Sequence, residues 1–161
     1  MERQIHPIKP VYNENSKILI LGSFPSVKSR EQMFFYGHPQ NRFWKTISAV
    51  LNCELPIDIS QKRELLLKNN IAVWDVIQSC DIEGSSDSSI KNVVVNDFTE
   101  IFNAAEIKMI FANGGTAYNM FKRYSKCGRD IIKLPSTSPA NASFNLDKLK
   151  TEWSVILDYL R

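Results

Sequence analysis

The chain has 161 residues, of which 43% are hydrophobic and 23% charged, and its formal net charge is +3. This length predicts one globular domain spanning residues 1–161, which can bury a core without disulfides or a structural metal. No apolar run is as long as the roughly 20 residues that cross a bilayer, and residues 1–15 lack the apolar region of a signal peptide. We therefore expect a cytoplasmic protein, monomeric and without a membrane segment.

The cysteines and histidines do not form a metal-binding pattern. Cys53, Cys80 and Cys127 lie far apart with no C-x-x-C pair, and His6 and His38 are the only histidines. Zinc and iron-sulfur sites need closely spaced ligands, so we expect no metal, no cluster and no other cofactor.

Positive charge is concentrated in two short stretches. Residues 28–45 hold four bases against one acid, a local charge of +3, and residues 122–133 hold five against one, a local charge of +4. Residues 51–107 hold ten acids against four bases. This asymmetry is open to two interpretations, one face that attracts a polyanion or an ordinary solvated surface.

Four short apolar runs predict buried strands. In chain order they are Lys17–Gly22, Ile71–Trp74, Lys108–Ala112 and Asp130–Leu134. Their apolar residues are continuous rather than alternating, which indicates burial on both faces of a sheet. The least ordered parts are expected at residues 1–15 and at Gly84–Ser89, whose sequence is GSSDSS.

Between and after these runs, apolar residues recur at helical spacing. The three apolar faces are Phe43, Ile47, Val50 and Leu51; then Ala117, Met120, Phe121 and Tyr124; and last Leu146, Leu149, Trp153, Ile156, Leu157 and Leu160. Strands that alternate with helices predict an α/β fold, here a three-layer α/β/α sandwich with a central, mostly parallel four-stranded sheet.

Ligands of such sheets bind beyond the carboxyl ends of the strands. Those ends lead into Gly22-Ser23-Phe24-Pro25-Ser26, into Asp75, into Asn113-Gly114-Gly115-Thr116, and into Pro135 to Asn141 (PSTSPAN). Glycine and small hydroxyl residues let a backbone or a phosphate approach closely. Taken alone, the segments after the first and fourth strands are better explained as ordinary turns, and those at Asp75 and Asn113 equally well as a turn or helix cap.

Residues 36–44 (YGHPQNRFW) carry more chemistry than a connecting loop needs. An imidazole, two amides and a guanidinium lie within five residues, directly before a predicted helix. The amino terminus of a helix favours anions, although Asn41 could serve only as the cap of that helix.

Together these segments resemble the uracil-DNA glycosylase superfamily, most closely its hypoxanthine-DNA (deoxyinosine) glycosylase branch. The resemblance covers nearly the whole chain in order and depends most on residues 36–44 and 134–141, with support from 21–26, 29–32, 74–77, 84–90 and 113–114. Many members carry a water-handling Asp or Asn two residues after the glycine of the first motif, where this chain has Phe24. In the hypoxanthine branch the asparagine of the His-Pro-Gln-Asn segment takes over catalysis, and that residue is Asn41 here.

The resemblance implies a monofunctional enzyme that hydrolyses the N-glycosidic bond of a deaminated base, above all hypoxanthine, flipped out of DNA at the start of base excision repair. Asn41 would orient a water, and His38 would either stabilise the leaving purine or order the loop. Asp75 would bind the base or cap a turn. The expected base contacts are Gly22, Ser23, Phe24, Phe35, Asp75 and Asn113.

The same resemblance predicts the DNA-binding residues. These are Pro25, Ser26, Arg42, Ser136, Thr137, Ser138, Pro139, Ala140 and Asn141. Within this set, the serine hydroxyls and that of Ser23 would hold phosphates, and Pro139 to Asn141 would fill the vacated base stack. Arg42 and Lys45 would attract phosphates without regard to sequence.

Three other functions are consistent with parts of the sequence. The base removed could be uracil or a thymine opposite guanine, because the sequence does not give the width of the pocket. The fold could also serve a non-catalytic module that binds a lesion or a nucleotide. A small-molecule enzyme of the doubly wound class has the least support, because neither G-x-G-x-x-G nor a Walker A sequence follows any predicted strand.

Overall fold

The architecture is described by a computed structural model covering residues 2–161. The strands are β1 (Glu2–Ile5), β2 (Ile18–Gly22), β3 (Ile71–Asp75), β4 (Ile77–Ile82), β5 (Lys91–Val95), β6 (Met109–Asn113) and β7 (Ile131–Leu134). The α-helices are α1 (Val27–Gln32), α2 (Phe43–Leu51), α3 (Ile59–Lys68), α4 (Thr99–Ala104), α5 (Gly115–Tyr124) and α6 (Leu146–Trp153).

A parallel sheet of four strands, in the order β3-β2-β6-β7, forms the centre of the molecule. Along β2, Ile18 and Ile20 pack against α2, α3 and α6, whereas Leu19 and Leu21 pack with α4 and α5 on the opposite face. Every residue of β2 is buried. The predicted three-layer α/β/α sandwich is therefore confirmed, and so are the four predicted strands to within about one residue at each end.

A second sheet, of three antiparallel strands in the order β1-β4-β5, was not predicted. The expectation that residues 1–15 are loose is wrong for residues 2–15, the part that the structure describes: β1 pairs with β4, and Val11 is fully buried and exchanges two backbone hydrogen bonds with Val73. These partners are distant in sequence, so no local pattern marks the pairing. Gly84–Ser89 is also held, because Arg30 donates to the carbonyl oxygen of Gly84.

The last predicted helix is shorter than its apolar pattern. Helix α6 ends at Trp153, and Ser154–Tyr159 continues as a 3₁₀ helix. At this boundary the Ser154 hydroxyl donates to the carbonyl oxygen of Lys150, and such bonds from serine to the preceding turn weaken regular α-helix. Helices α1, α3 and α4 were not predicted.

The two basic stretches do not form one face. Helix α5 begins at the carboxyl edge of the parallel sheet and runs to the amino edge, so residues 122–130 lie at the edge opposite the end of β2. Residues 28–45 follow β2 and stay at its carboxyl edge. Within residues 2–161, no helix has the length and apolar character needed to cross a membrane.

Candidate active site

A cleft of about 500 Å³ opens at the carboxyl edge of the parallel sheet. It is lined by Gly22 to Ser26, Ser29, Phe35, Tyr36, His38, Asn41, Asp75, Ser85 to Ser88, Asn113 and Ser136 to Ala140. All of the predicted catalytic, base-binding and DNA-binding residues are in this lining except Arg42, Lys45 and Asn141. The carboxyl ends of all four strands therefore contribute to one concave site, as expected for a parallel α/β sheet.

The Asn41 carboxamide is held by two donors. The backbone N–H of Phe43 and the hydroxyl of Thr137 each donate to Asn41 Oδ1 at 2.9 Å. Both lone pairs of this oxygen are thus occupied, whereas Nδ2 has no hydrogen-bond partner among residues 2–161. The bond to Phe43 resembles a helix cap, so Asn41 both supports the start of α2 and offers a free amide N–H₂ group to the cleft.

Thr137 connects Asn41 to the end of β6. The Asn113 Nδ2 donates to Thr137 Oγ1 at 2.9 Å, and the Thr137 backbone N–H donates to Asn113 Oδ1 at 3.0 Å. Thr137 is fully buried, so its hydroxyl supports the site from beneath instead of contacting DNA as predicted. Asn113 lines the cleft. One hydrogen of its Nδ2 is donated to Thr137, so only the second hydrogen is left for the predicted contact with the base.

Asp75 is paired with a histidine that sequence reasoning did not place in the site. His6 Nε2 and Asp75 Oδ2 are 2.7 Å apart, and their side chains are only 2% and 4% exposed. The Ile8 backbone N–H donates to His6 Nδ1, so the proton of the neutral ring is on Nε2 and is donated to the carboxylate. The Asp75 carboxylate therefore bonds to His6 rather than capping the turn after β3.

Comparison with known proteins gives consistent results. The profile of the uracil DNA glycosylase superfamily matches residues 9–161. The chain belongs to this superfamily. It is 34% identical to a hypoxanthine DNA glycosylase of Methanosarcina acetivorans, over 91% of this chain and 93% of the relative. It is 33% identical to a hypoxanthine DNA glycosylase of Methanosarcina barkeri, over 96% and 97% of the two chains.

The fold agrees with that of a solved relative. A solution NMR structure of a protein from Methanosarcina acetivorans, named for uracil DNA glycosylase, superposes with a TM-score of 0.82. The two chains are 31% identical, and the match covers 98% of this chain and 99% of the other.

In this member of the uracil DNA glycosylase superfamily, aromatic residues form the floor of the cleft. Phe24 and Phe35 are 8% and 2% exposed. The Phe24 ring lies edge-on to His6, with centroids 5.8 Å apart, and the Arg30 guanidinium is 5.5 Å from its centroid. Phe24 has no polar group, so it can contribute only packing to a bound base.

Tyr36 lines the cleft, although it was not among the predicted site residues. Its side chain stacks on Phe43 with ring centroids 4.0 Å apart, and its hydroxyl is buried with no hydrogen-bond partner. Burial, followed by the nearby charge of Asp75, raises the pKa of the phenol well above its ordinary value. Tyr36 is therefore a neutral O–H donor, and its position within the motif YGHPQNRFW is the signal that could have identified it.

Ser23, Pro25 and Ser26 lie on the wall formed by the loop after β2. The Ser23 hydroxyl donates to Asp87 Oδ1 at 3.0 Å, and Ser26 caps α1 by accepting the Ser29 backbone N–H. Pro25 is buried, so it shapes this wall rather than projecting toward DNA. Asp87 was not predicted, because GSSDSS was expected to be loose; loss of hydration in the cleft wall raises its pKa, and the charge of Asp75 adds to this rise.

Arg42 makes its hydrogen bonds within the protein. Its guanidinium donates to the carbonyl oxygens of Ser138 at 2.9 Å and Asn141 at 3.1 Å, and to that of Phe144. The Arg42 backbone N–H also donates to the Thr137 carbonyl. Arg42 therefore holds the loop after β7 in place, and its contact with phosphates stays a prediction.

The loop after β7 presents only part of the predicted DNA-binding set. Ser136 Oγ and Ser138 Oγ accept backbone N–H groups from Ser138 and Ala140, which leaves both hydroxyl hydrogens available to a phosphate. Pro139 and Ala140 are exposed at the rim. Asn141 instead turns back, and its Nδ2 donates to the Ser136 carbonyl.

His38 stabilises the loop in which it lies. Its Nδ1 accepts the Gln40 backbone N–H at 3.1 Å, and its carbonyl accepts that of Asn41 at 3.0 Å. These bonds favour the loop-ordering role among the two that were considered, while the ring still borders the cleft. Within residues 2–161, no group of three His, Cys, Asp or Glu side chains is arranged to hold a metal.

Proposed function

We propose that this protein is a DNA glycosylase that hydrolyses the N-glycosidic bond of hypoxanthine in DNA and leaves an abasic site. Membership of the uracil DNA glycosylase superfamily, and relatives named hypoxanthine DNA glycosylase, support this assignment. The observation that carries it is the Asn41 carboxamide, which borders the cleft with a free N–H₂ group and an oxygen held by Thr137 and Phe43.

The target of such an enzyme is C1′ of a deoxyribose, which is not accessible inside a duplex. The nucleotide must therefore be flipped out, at a cost of a few kcal/mol that is smallest for a mispaired base. Bond cleavage then builds positive charge on the sugar and negative charge on the departing purine. The site has to place a water near the sugar while binding the leaving base.

Asn41 supplies the contact to water. Because Thr137 and Phe43 both donate to Oδ1, the carboxamide can meet a water only through Nδ2–H. A donor of this kind orients the water but cannot remove its proton. The reaction would then depend on departure of the base, with the substrate phosphates helping to stabilise the cationic sugar.

The opposite part of the cleft would receive the base. Phe24 and Phe35 offer apolar surface for a purine ring, and Asp75 offers a hydrogen-bond acceptor beside the backbone of Gly22. The flanking strand would lie on the rim. There, the hydroxyls of Ser136 and Ser138 can donate to phosphates, and Pro139 and Ala140 can enter the space left by the flipped base.

The main test is a panel of duplexes that carry hypoxanthine, uracil, xanthine or ethenoadenine, incubated with the purified protein and treated with alkali to reveal abasic sites. We expect cleavage at hypoxanthine to be fastest. Faster removal of uracil would reassign the base preference, and binding of lesions without cleavage of any of them would contradict the enzyme assignment.

The role of Asn41 is tested by single-turnover cleavage of a deoxyinosine duplex. Asn41→Ala removes the donor that positions the water, so we expect the rate to fall about 100- to 1000-fold. Asn119→Ala, an exposed asparagine on α5, is the matched control and should leave the rate unchanged. Near-normal activity of a folded Asn41→Ala protein would remove this residue from the mechanism.

A further inference from the structure

Two polar groups in the wall of the cleft beside Gly22 make no hydrogen bond within residues 2–161. One is Asp75 Oδ1, because His6 engages only the other oxygen of that carboxylate. The second is the Tyr36 hydroxyl, which has no hydrogen-bond partner. The Tyr36 hydroxyl is buried, and a buried polar group without a partner is costly; Asp75 Oδ1 is an unpaired acceptor in the lining of the cleft. Both groups therefore call for a ligand that completes their hydrogen bonds.

His6 determines what Asp75 can offer. The Ile8 backbone N–H donates to Nδ1, so Nε2 carries the ring proton and points at Asp75 Oδ2. Three aromatic rings, those of Phe24, Phe35 and Trp74, surround the imidazole with centroids about 6 Å away. The imidazole ring therefore cannot rotate, and Nε2 remains the atom that donates to Asp75. Asp75 thus presents Oδ1 as an acceptor only.

Gly22 brings the acceptor and the donor side by side. A methyl group built on Gly22 would lie 2.4 Å from Asp75 Oδ1 and 2.9 Å from the Tyr36 hydroxyl. Both polar atoms therefore border the same small space above the glycine, and only a residue without a side chain leaves that space open. The cleft reaches this point, since all three residues line it.

An acceptor beside a donor matches a lactam edge, in which a ring N–H stands next to a carbonyl oxygen. Deamination creates this edge: hypoxanthine has an N1–H and an O6, whereas adenine has a bare N1 and an amino group. A carboxylate that faced the bare N1 of adenine would oppose lone pair to lone pair. The same pair of groups would thus accept the deaminated base and reject its parent.

We propose that His6, Asp75 and Tyr36 form a lactam reader that gives the enzyme its preference for hypoxanthine over adenine. Asp75 Oδ1 accepts the ring N–H, the Tyr36 hydroxyl donates to the adjacent carbonyl, and His6 is the positioning residue that holds Asp75 in this orientation. This inference rests on the proposed glycosylase function and adds to it the class of base and the means of its selection.

The experiment compares a deoxyinosine duplex with one that carries 1-deaza-deoxyinosine, in which a C–H replaces the N1–H. Single-turnover rates are measured for the wild type and for Asp75→Asn. We expect the wild type to prefer deoxyinosine by about 10- to 100-fold, the range of a hydrogen bond to a buried charge. In Asp75→Asn the amide oxygen must face His6, which turns the N–H₂ group toward the base, so this preference should disappear.

His6 is tested by the same preference ratio. His6→Leu removes the donor and should abolish the preference, whereas His6→Gln keeps an N–H at the position of Nε2 and should restore most of it. Tyr36→Phe should slow deoxyinosine cleavage about 10-fold with the fold intact. If His6→Leu does not fold by circular dichroism, the results of Asp75→Asn and Tyr36→Phe decide the matter.

Two kinds of failure can be told apart. If the wild type cleaves none of the deaminated bases, the proposed function is wrong. If it cleaves deoxyinosine but Asp75→Asn keeps the full preference for the N1–H, the reader is overturned and the glycosylase remains. Equal preference ratios for His6→Leu and His6→Gln would likewise remove His6 from its positioning role.

Discussion

The two polar assemblies of the cleft are built alike but present opposite hydrogen-bonding groups. In each, neighbouring donors hold one oxygen of a side chain and leave its other polar atom free. On the water side, Thr137 and Phe43 hold the oxygen of Asn41 and leave an N–H donor free. On the base side, His6 holds one oxygen of Asp75 and leaves an acceptor free. Damage to the water side should slow removal of every base by the same factor, whereas damage to the base side should change which base is removed.

Among substitutions that leave Asn41 and Asp75 themselves unchanged, the largest effect is expected from Gly22→Ala on the base side. The new methyl group would lie 2.4 Å from Asp75 Oδ1, so the carboxylate must move. We expect hypoxanthine cleavage to fall about 100-fold, as for a misplacement of about 1 Å in an active site. The crowding should also lower the free energy of unfolding by about 1 to 3 kcal/mol, measured in urea.

Gly115→Ala is the matched control for this change. A methyl group at Gly115, the first residue of α5, would meet no atom within 4 Å. Its activity should equal that of the wild type, and its stability should be equal or slightly higher. Loss of activity in Gly115→Ala as large as in Gly22→Ala would show that the contact with Asp75 is not the cause.

A smaller effect is expected from Thr137→Val on the water side. The shape is kept, but Asn41 Oδ1 loses one donor and Asn113 Nδ2 loses its acceptor. We expect the unfolding free energy to drop by about 1 to 3 kcal/mol and single-turnover rates to fall about 10-fold for every base that the wild type removes. Thr137→Ser keeps the hydroxyl and should behave as the wild type.

If Thr137→Val changed the preference among bases, instead of lowering the rate equally for all of them, the water side and the base side would not act independently. The same oligonucleotide panel measures this ratio, so rate and preference come from one set of data.

The smallest effect is expected from Arg42→Gln, which loosens the loop that carries Ser136 and Ser138. Because the guanidinium donates to carbonyl oxygens of this loop, DNA affinity should fall only about 3- to 10-fold, with the salt dependence unchanged. Lys45→Gln, at an exposed position, should instead reduce the slope of log affinity against log salt by about 1. A reduced slope in Arg42→Gln would return Arg42 to the phosphate-binding role.

Much of the central fold could be predicted because its information is local. Strands such as Ile18–Gly22 are continuous apolar runs, and the rule that ligands bind at the carboxyl ends of parallel strands brought Asp75, Asn113 and Ser136 to one edge. The second sheet could not be predicted in this way. Glu2–Ile5 is polar and mostly exposed, and its partner strand lies far along the chain.

The same distinction explains what the sequence did not show about the site. The type of residue at Arg42 is compatible with phosphates and with carbonyl oxygens alike, and the carbonyls that it bonds belong to Ser138, Asn141 and Phe144, far away in sequence. Thr137 was predicted to be a surface hydroxyl because its burial depends on Asn41 and Asn113. His6 carried no local signal, since only the pairing of β1 brings it to Asp75.

The position of β1 also ties base selection to local unfolding. This strand of four residues stands at the edge of the three-stranded sheet and is bonded on one side only. Edge segments with exposed side chains open more often than central strands, and amide hydrogen exchange reports such openings. Each local opening of β1 would move the His6 imidazole away from the Asp75 carboxylate. The preference of this enzyme for hypoxanthine should therefore decline with temperature well before the parallel sheet unfolds.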